Sequence, residues 1–237
     1  MRAIILAAGL GTRMRPLSDA TPKPLLPLAG KPIIVWQLQR LAAAGVRYVV
    51  INTARHGEQF PALLGDGAQF GLRIRYSHEG DTPLETGGGI LQALPLLGEA
   101  TPFLVVSGDL YTDYDFARLP ARPAGLAHLV LVDNPPWHAA GDFALTAQGR
   151  VRAEGSARLT FANIGVYDPA LWRDWRSIVG TEAAPAAQPP RFKLAPLLHA
   201  AIAQDAVGGE HYGGRWHNLG TVQELAALDD ALRAAPT

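Results

Sequence analysis

Short, uninterrupted apolar runs recur along the chain, and between them apolar positions return every three or four residues. The runs at 3–6, 48–52, 73–76 and 103–106 predict strands, and their continuous apolar character suits strands covered on both faces. Stretches at 33–44, 58–64 and 88–97 predict the intervening helices, the first with Pro32 at its start and Gly45 just past its end. Farther on, 128–132, 143–146, 151–153 and 158–167 predict strands, with tight turns at Gly149 and Gly155. Helices are predicted at 169–175, 193–204 and 221–234, the last with Thr221 and Glu224 at capping-box spacing. Residues 180–190, rich in Ala and Pro, read as a surface loop or linker. Alternating strands and helices predict one α/β domain whose mixed, mostly parallel central sheet carries helices on both faces.

Composition narrows the partners. The chain has 237 residues, with 21 Lys plus Arg against 21 Asp plus Glu, and a protein that coats nucleic acid needs a net basic field. The absence of cysteine excludes disulfides, cysteine-ligated zinc and thiol catalysis, and it suits a cytoplasmic location. No apolar run approaches the ~20 residues of a membrane span. Arg2 followed by an apolar run is too short for a signal peptide, since Arg13 and Arg15 arrive almost at once. Neither a nucleic acid nor a membrane is expected as a partner, and the oligomeric state stays open.

Chemistry concentrates first at the N-terminus. An apolar strand runs into Leu6-Ala7-Ala8-Gly9-Leu10-Gly11-Thr12-Arg13-Met14-Arg15-Pro16, and Pro22-Lys23-Pro24 follows closely. Glycine lets backbone N–H groups close on an anion, and the cations supply opposite charge. The string is no dinucleotide fingerprint, because Met14 stands where the third glycine belongs, and no P-loop string occurs anywhere. Two further segments stand out. Asp81-Thr82-Pro83-Leu84-Glu85-Thr86-Gly87-Gly88-Gly89 places three glycines at the predicted opening of a helix. Phe103 to Asp109 is a buried strand that delivers an aspartate at its C-terminal end, the edge where open α/β sheets bind ligands. None of the seven histidines has a partner at metal-helix or triad spacing, and His56, His138 and His217 read as structural or peripheral. No Gly-x-Ser-x-Gly elbow is present.

The N-terminal string with Pro22-Lys23-Pro24 resembles the signature of the sugar-phosphate nucleotidyltransferases, which join a nucleoside triphosphate to a sugar 1-phosphate. The resemblance covers nearly the whole chain and implies a single Rossmann-like domain over 1–237. Within it, 1–110 would mainly bind nucleotide and 111–237 mainly the sugar phosphate. Many relatives carry a C-terminal β-helix, often with acetyltransferase activity; neither is expected here.

By this resemblance Arg15, Lys23 and Asp109 are the catalytic residues, with Lys23 at the α-phosphate. Ala8, Gly9, Gly11, Thr12, Arg13, Lys23, Pro83, Thr86, Gly87, Gly88 and Ser107 would bind the nucleotide, the glycine run forming the second wall of a base pocket. Asp109 and Asn218 would hold Mg²⁺, and Asn218 stands where the family usually presents an aspartate. Gly141, Asp142, Glu154, Asn163 and Ile164 would meet the sugar phosphate. The Lys-Pro expected after Glu154 is missing, so a cation from elsewhere is needed; Arg158, Arg191 and Lys193 are candidates, with Lys193 preferred. The resemblance, which rests further on chain length, the Glu85 to Gly89 stretch and Asn218, implies UTP and N-acetyl-α-muramate 1-phosphate as substrates. The products would be UDP-N-acetylmuramate, a step of peptidoglycan recycling, and pyrophosphate. Guanylyl transfer to mannose 1-phosphate and thymidylyl transfer to glucose 1-phosphate are the competing specificities. A catalytically degenerate nucleotide-sugar-binding module is the non-enzyme alternative, and only Asn218 favours it.

Overall fold

In the computed structural model, which describes residues 1–180 and 190–234, nine strands join in one mixed sheet. Its parallel core sets Arg73–His78, Tyr48–Thr53, Arg2–Leu6 and Phe103–Ser107 side by side. The long strand Arg158–Tyr167 runs antiparallel to Phe103–Ser107. It then forks: one end pairs with Phe143–Leu145, and the rest pairs with Ala127–Val132. Val207–Tyr212 lies parallel to Ala127–Val132 at the edge.

Alternation along the core strands explains why they read as unbroken apolar runs. Ala3, Ile5, Val49 and Ile51 face one core, packed with Ile34, Leu38 and Leu41 of the helix Ile33–Ala43. Ile4, Val50 and Val105 face the other, packed with Ile90, Ala93 and Leu97 of Glu85–Leu97 and Leu197 and Ala201 of Ala195–Ala203. Both faces are dry, so neither needs polar positions.

A third cluster ties the chain ends together. Met14, Leu26, Leu28 and Ile33 pack against Leu219, Leu225 and Leu228, the last two on the helix Val222–Ala234. That helix opens with the expected capping box: Thr221 N donates to Glu224 Oε2 (2.8 Å), and Glu224 N donates to Thr221 Oγ1 (3.2 Å). Among the described residues no helix is long and apolar enough to cross a membrane.

Four sequence expectations change. The strand Val207–Tyr212 adds to the elements expected, and it contains Gly208 and Gly209. A Cβ on Gly209 would lie 2.8 Å from Leu129 O and from Val151 Cγ2, so glycine there serves close packing rather than chain reversal. The helix expected from Gly88 starts three residues earlier, at Glu85. The helix expected at 169–175 divides into a 3-10 turn Pro169–Trp172 and a short helix Trp175–Val179. Lys193 precedes the helix Ala195–Ala203 rather than opening it. Of the loop expected at 180–190, residues 181–189 lie outside the described residues.

Candidate active site

The four parallel strands end on one edge of the sheet, and a cavity of about 490 Å³ opens there. The signature loop forms one wall. After Leu6 the chain turns at Gly11 (φ +62°) into a 3-10 turn Thr12–Met14, closed by Met14 N donating to Gly11 O at 2.8 Å. A Cβ on Gly11 would sit 3.2 Å from Lys23 Cβ and 3.3 Å from Ser18 Cβ, so the loop closes this tightly only around glycine. Ala8, Gly9, Gly11, Thr12 and Arg13 all line the cavity.

Lys23 enters from a second 3-10 turn, Lys23–Leu25, with proline on both sides. Its Nζ donates to Asp109 Oδ2 at 2.7 Å, and its side chain is only 7 % exposed. Asp109 follows the strand Phe103–Ser107, whose last residue, Ser107, lines the cavity with it. Asn218 belongs to a small antiparallel ribbon of Leu110–Thr112 and Trp216–Asn218, in which it pairs with Leu110. Leu219 N donates to Asp109 O at 3.1 Å, so the aspartate and the asparagine stand on adjoining turns of chain.

Three expected nucleotide contacts are placed elsewhere. Arg15 lies outside the cavity, exposed, with Nε 3.1 Å from Asp19 Oδ1 one helical turn on. Gly87 and Gly88 are inside the helix, and both amides donate to Phe192 O, at 2.9 and 3.0 Å. A Cβ on Gly87 would lie 2.6 Å from the Phe192 ring, and one on Gly88 would lie 2.1 Å from Pro190 O. The glycines therefore let the chain's own segment 190–193 lie against the helix, and their amides are unavailable to a base edge. Pro83 and Thr86 do line the cavity. Glu85 between them holds φ +62°, sparsely populated for a residue with a Cβ, and Arg191 pairs with its carboxylate at 2.9 Å.

A second cavity of about 410 Å³ adjoins the first, and Leu6, Glu85 and Thr86 face both. Asp142, Asn163, Lys193 and Asn218 line it, together with Trp137 and Trp216. Asn163 occupies a bulge in the strand Arg158–Tyr167, with φ +57°. Asp142 is held by His138 Nε2 (3.1 Å) and by Phe161 N, which donates to Oδ2 at 2.8 Å. Of the three candidate cations, Lys193 faces this cavity, Arg191 faces the first, and Arg158 faces neither.

Three expected sugar residues stand apart. Glu154 is exposed on the connection between Val151–Arg152 and Arg158–Tyr167 and does not line the cavity. Ile164 is fully buried in the sheet core, on the same face of its strand as Ala162 and Val166. Gly141 (φ +60°) supplies the turn before Asp142, with Arg158 O only 2.8 Å from where its Cβ would be.

Sequence reasoning missed Asn52 and Glu79, both buried at the floor of the first cavity. Burial pushes the Glu79 carboxyl above the ordinary glutamate range, although Leu84 N and Asn52 hydrogen-bond to it. A signal was present: each is a polar residue at or just past the C-terminal end of a parallel strand, as Asp109 is.

Comparison with known proteins bears on this geometry. Residues 2–153 match the family model described as nucleotidyl transferase. The chain is 48 % identical over 232 residues to the N-acetylmuramate alpha-1-phosphate uridylyltransferase of Neisseria meningitidis serogroup B, covering 95 % of each chain. It is 33 % identical over 247 residues to the protein of the same name from Caulobacter vibrioides, covering 98 % of this chain and 97 % of that one. Its fold matches a solved Bacillus anthracis structure assigned as a glucose-1-phosphate thymidylyltransferase, in complex with sucrose. The TM-score is 0.81 at 19 % identity, over 100 % of this chain and 97 % of the other. The signature loop, the Lys23–Asp109 pair and these matches together place the chain in the nucleotidyl transferase family.

Proposed function

We propose that this protein transfers the uridylyl group of UTP to N-acetyl-α-muramate 1-phosphate, giving UDP-N-acetylmuramate and pyrophosphate, in the cytoplasm where UTP is available. The observation that carries the reading is a pair of adjoining cavities that share Leu6, Glu85 and Thr86, with the Lys23–Asp109 pair lining the first. The identity to two relatives of that name, over almost their whole length, supports the choice of base and sugar.

In this reading the first cavity, built mainly from residues before 110, takes the nucleotide, and the second, built mainly from later residues, takes the sugar phosphate. Gly11, Thr12 and Arg13 cradle the β- and γ-phosphates. Lys23 donates to the α-phosphate, where negative charge moves during transfer. Lys193 meets the phosphate of the sugar, and Asn163 and Asp142 present polar atoms to its ring. The nucleophile needs no general base: the second pKa of a phosphate monoester is near 6, so its oxygen is already ionised at pH 7. The chain's task is to align two polyanions and offset their repulsion.

In this reading Asp109 and Asn218 would hold a magnesium ion. They offer one carboxylate and one neutral amide oxygen on adjoining segments, and Mg²⁺ commonly takes one or two carboxylates, with water and substrate phosphates completing its shell. When bound, Mg²⁺ supplies charge neutralisation and alignment of the phosphates.

A matrix of four nucleoside triphosphates against several sugar 1-phosphates, scored by pyrophosphate release with and without Mg²⁺, tests the reading. Fastest turnover is expected with UTP and N-acetyl-α-muramate 1-phosphate. A clear preference for GTP with mannose 1-phosphate, or for dTTP with glucose 1-phosphate, would overturn it.

A further inference from the structure

We propose that Glu79 is a positioning residue, a buried carboxylate that pins the two walls of the nucleotide cavity to each other through Asn52. The inference builds on the proposed nucleotide site and concerns how that site is held.

Three parallel strands end at this point. Ala7 follows the first, Asn52 lies near the end of the second, and Glu79 follows the third. Ala7 N donates to Asn52 Oδ1 at 2.7 Å, Asn52 Nδ2 donates to Glu79 Oε1 at 2.7 Å, and Leu84 N donates to Glu79 Oε2 at 2.7 Å. Ala7 opens the signature loop and Leu84 opens the helix of the opposite wall, so this single relay spans the cavity floor. Glu79 N donates to Thr53 O at 2.8 Å, which anchors the carboxylate to the sheet. Asn52 is 3 % exposed and Glu79 8 %.

The donor count explains the residue types. Both groups facing Glu79 are donors, and only a carboxylate accepts on both oxygens; a glutamine accepts on one. Asn52 must accept from one side and donate to the other, which an amide does and a carboxylate does not. Gly89 completes the set, since a Cβ there would lie 2.3 Å from Glu79 Oε1 and 2.9 Å from Asn52 Nδ2. A buried negative charge beside a polyanion site is electrostatically adverse. Its presence is explained by holding the walls rather than by attracting the ligand.

The relay can be rewritten with its polarity moved by one residue. Glu79→Gln alone sets an amide donor against Asn52 or Leu84. Asn52→Asp alone sets two carboxylates face to face. Together they satisfy every atom: the introduced carboxylate at 52 accepts from Ala7 and from the introduced amide at 79, whose oxygen accepts from Leu84. Titration calorimetry with UTP and Mg²⁺ is expected to show each single variant binding about tenfold or more weakly, the scale of one lost buried hydrogen bond. The double variant is expected to recover most of that loss. Amide hydrogen exchange at Ala7 and Leu84 gives a ligand-free reading, with protection lost in both single variants and regained in the double. Unchanged single variants, or a double variant no better than either, would overturn the proposal. If the wild-type protein binds no UTP, the nucleotide reading fails, and the exchange data still decide the relay.

Discussion

Lys23 Nζ sits 2.7 Å from Asp109 Oδ2, joining the cation of the signature loop to the carboxylate at the end of the neighbouring strand. An ammonium has three donors, so Lys23 can keep this partner while offering another hydrogen to a phosphate. Lys23→Met, which conserves length without charge, is therefore expected to lower kcat by about 10²–10³-fold, with a smaller change in KM for UTP. Steady-state pyrophosphate release measures both, and a purely KM effect would place the lysine in ground-state binding instead.

Asp109 separates charge from shape. Asp109→Asn keeps an acceptor for the nearly buried lysine, so its Tm should stay close to wild type while turnover falls by at least about 10²-fold. Asp109→Ala leaves Lys23 without its partner and should also cost about 1–3 kcal/mol of stability. Denaturant unfolding beside activity resolves the two effects; equal stability of both variants would show that Lys23 does not depend on this carboxylate.

Glu79 should leave a mark on stability against pH. Its carboxyl is raised from the usual 4.5 by burial, so the folded protein holds that proton more tightly than the unfolded chain does. This contribution favours folding at low pH and is lost as pH rises from about 4.5 through the elevated value. Subtracting the Tm–pH curve of Glu79→Gln from that of wild type should reveal a downward slope over that window. A flat difference would mean that Glu79 titrates normally.

The two flanking cations should divide by substrate. Lys193→Ala is expected to raise KM for the sugar 1-phosphate by about tenfold and leave KM for UTP unchanged, as suits a charge-assisted hydrogen bond to phosphate. Arg191 binds Pro83 O (3.0 Å) and Glu85 Oε1 (2.9 Å) on the nucleotide side, so Arg191→Ala should act on UTP instead. Reversed effects in the two variants would exchange their assignments.

Met14 tests whether the terminal helix supports the loop. It is fully buried against Leu225 and Leu228, so Met14→Ala should cost about 2–5 kcal/mol. Chemical denaturation measures this, and a loss below about 1 kcal/mol would show that the third cluster collapses around the gap.

Much of this architecture is legible in the residues because local and global signals agree. Continuous apolar runs mark strands buried on both faces, and the same logic delivers Asp109 to the ligand edge. Lys23 is legible because proline brackets it and glycine precedes it. Legibility fails where one residue type serves two ends. Gly87 and Gly88 look like room for a ligand, yet they make room for Pro190 and Phe192, a contact about a hundred residues away in sequence that no local pattern encodes. Gly209 sits in an edge strand for the same reason, since it makes room for Leu129 and Val151. Arg15 carries the right charge, but Asp19 at i+4 holds it on the surface. Asn52 and Glu79 escape notice because their meaning lies in each other, across two neighbouring strands.

Leu6, Glu85 and Thr86 face both chambers, so under the proposed reading the finished nucleotide sugar would straddle a common wall that each reactant meets from one side only. While the product stays seated, it shuts out the next triphosphate and the next acceptor alike. Accumulating end product would thus throttle its own synthesis at the reaction centre, with no separate effector pocket required.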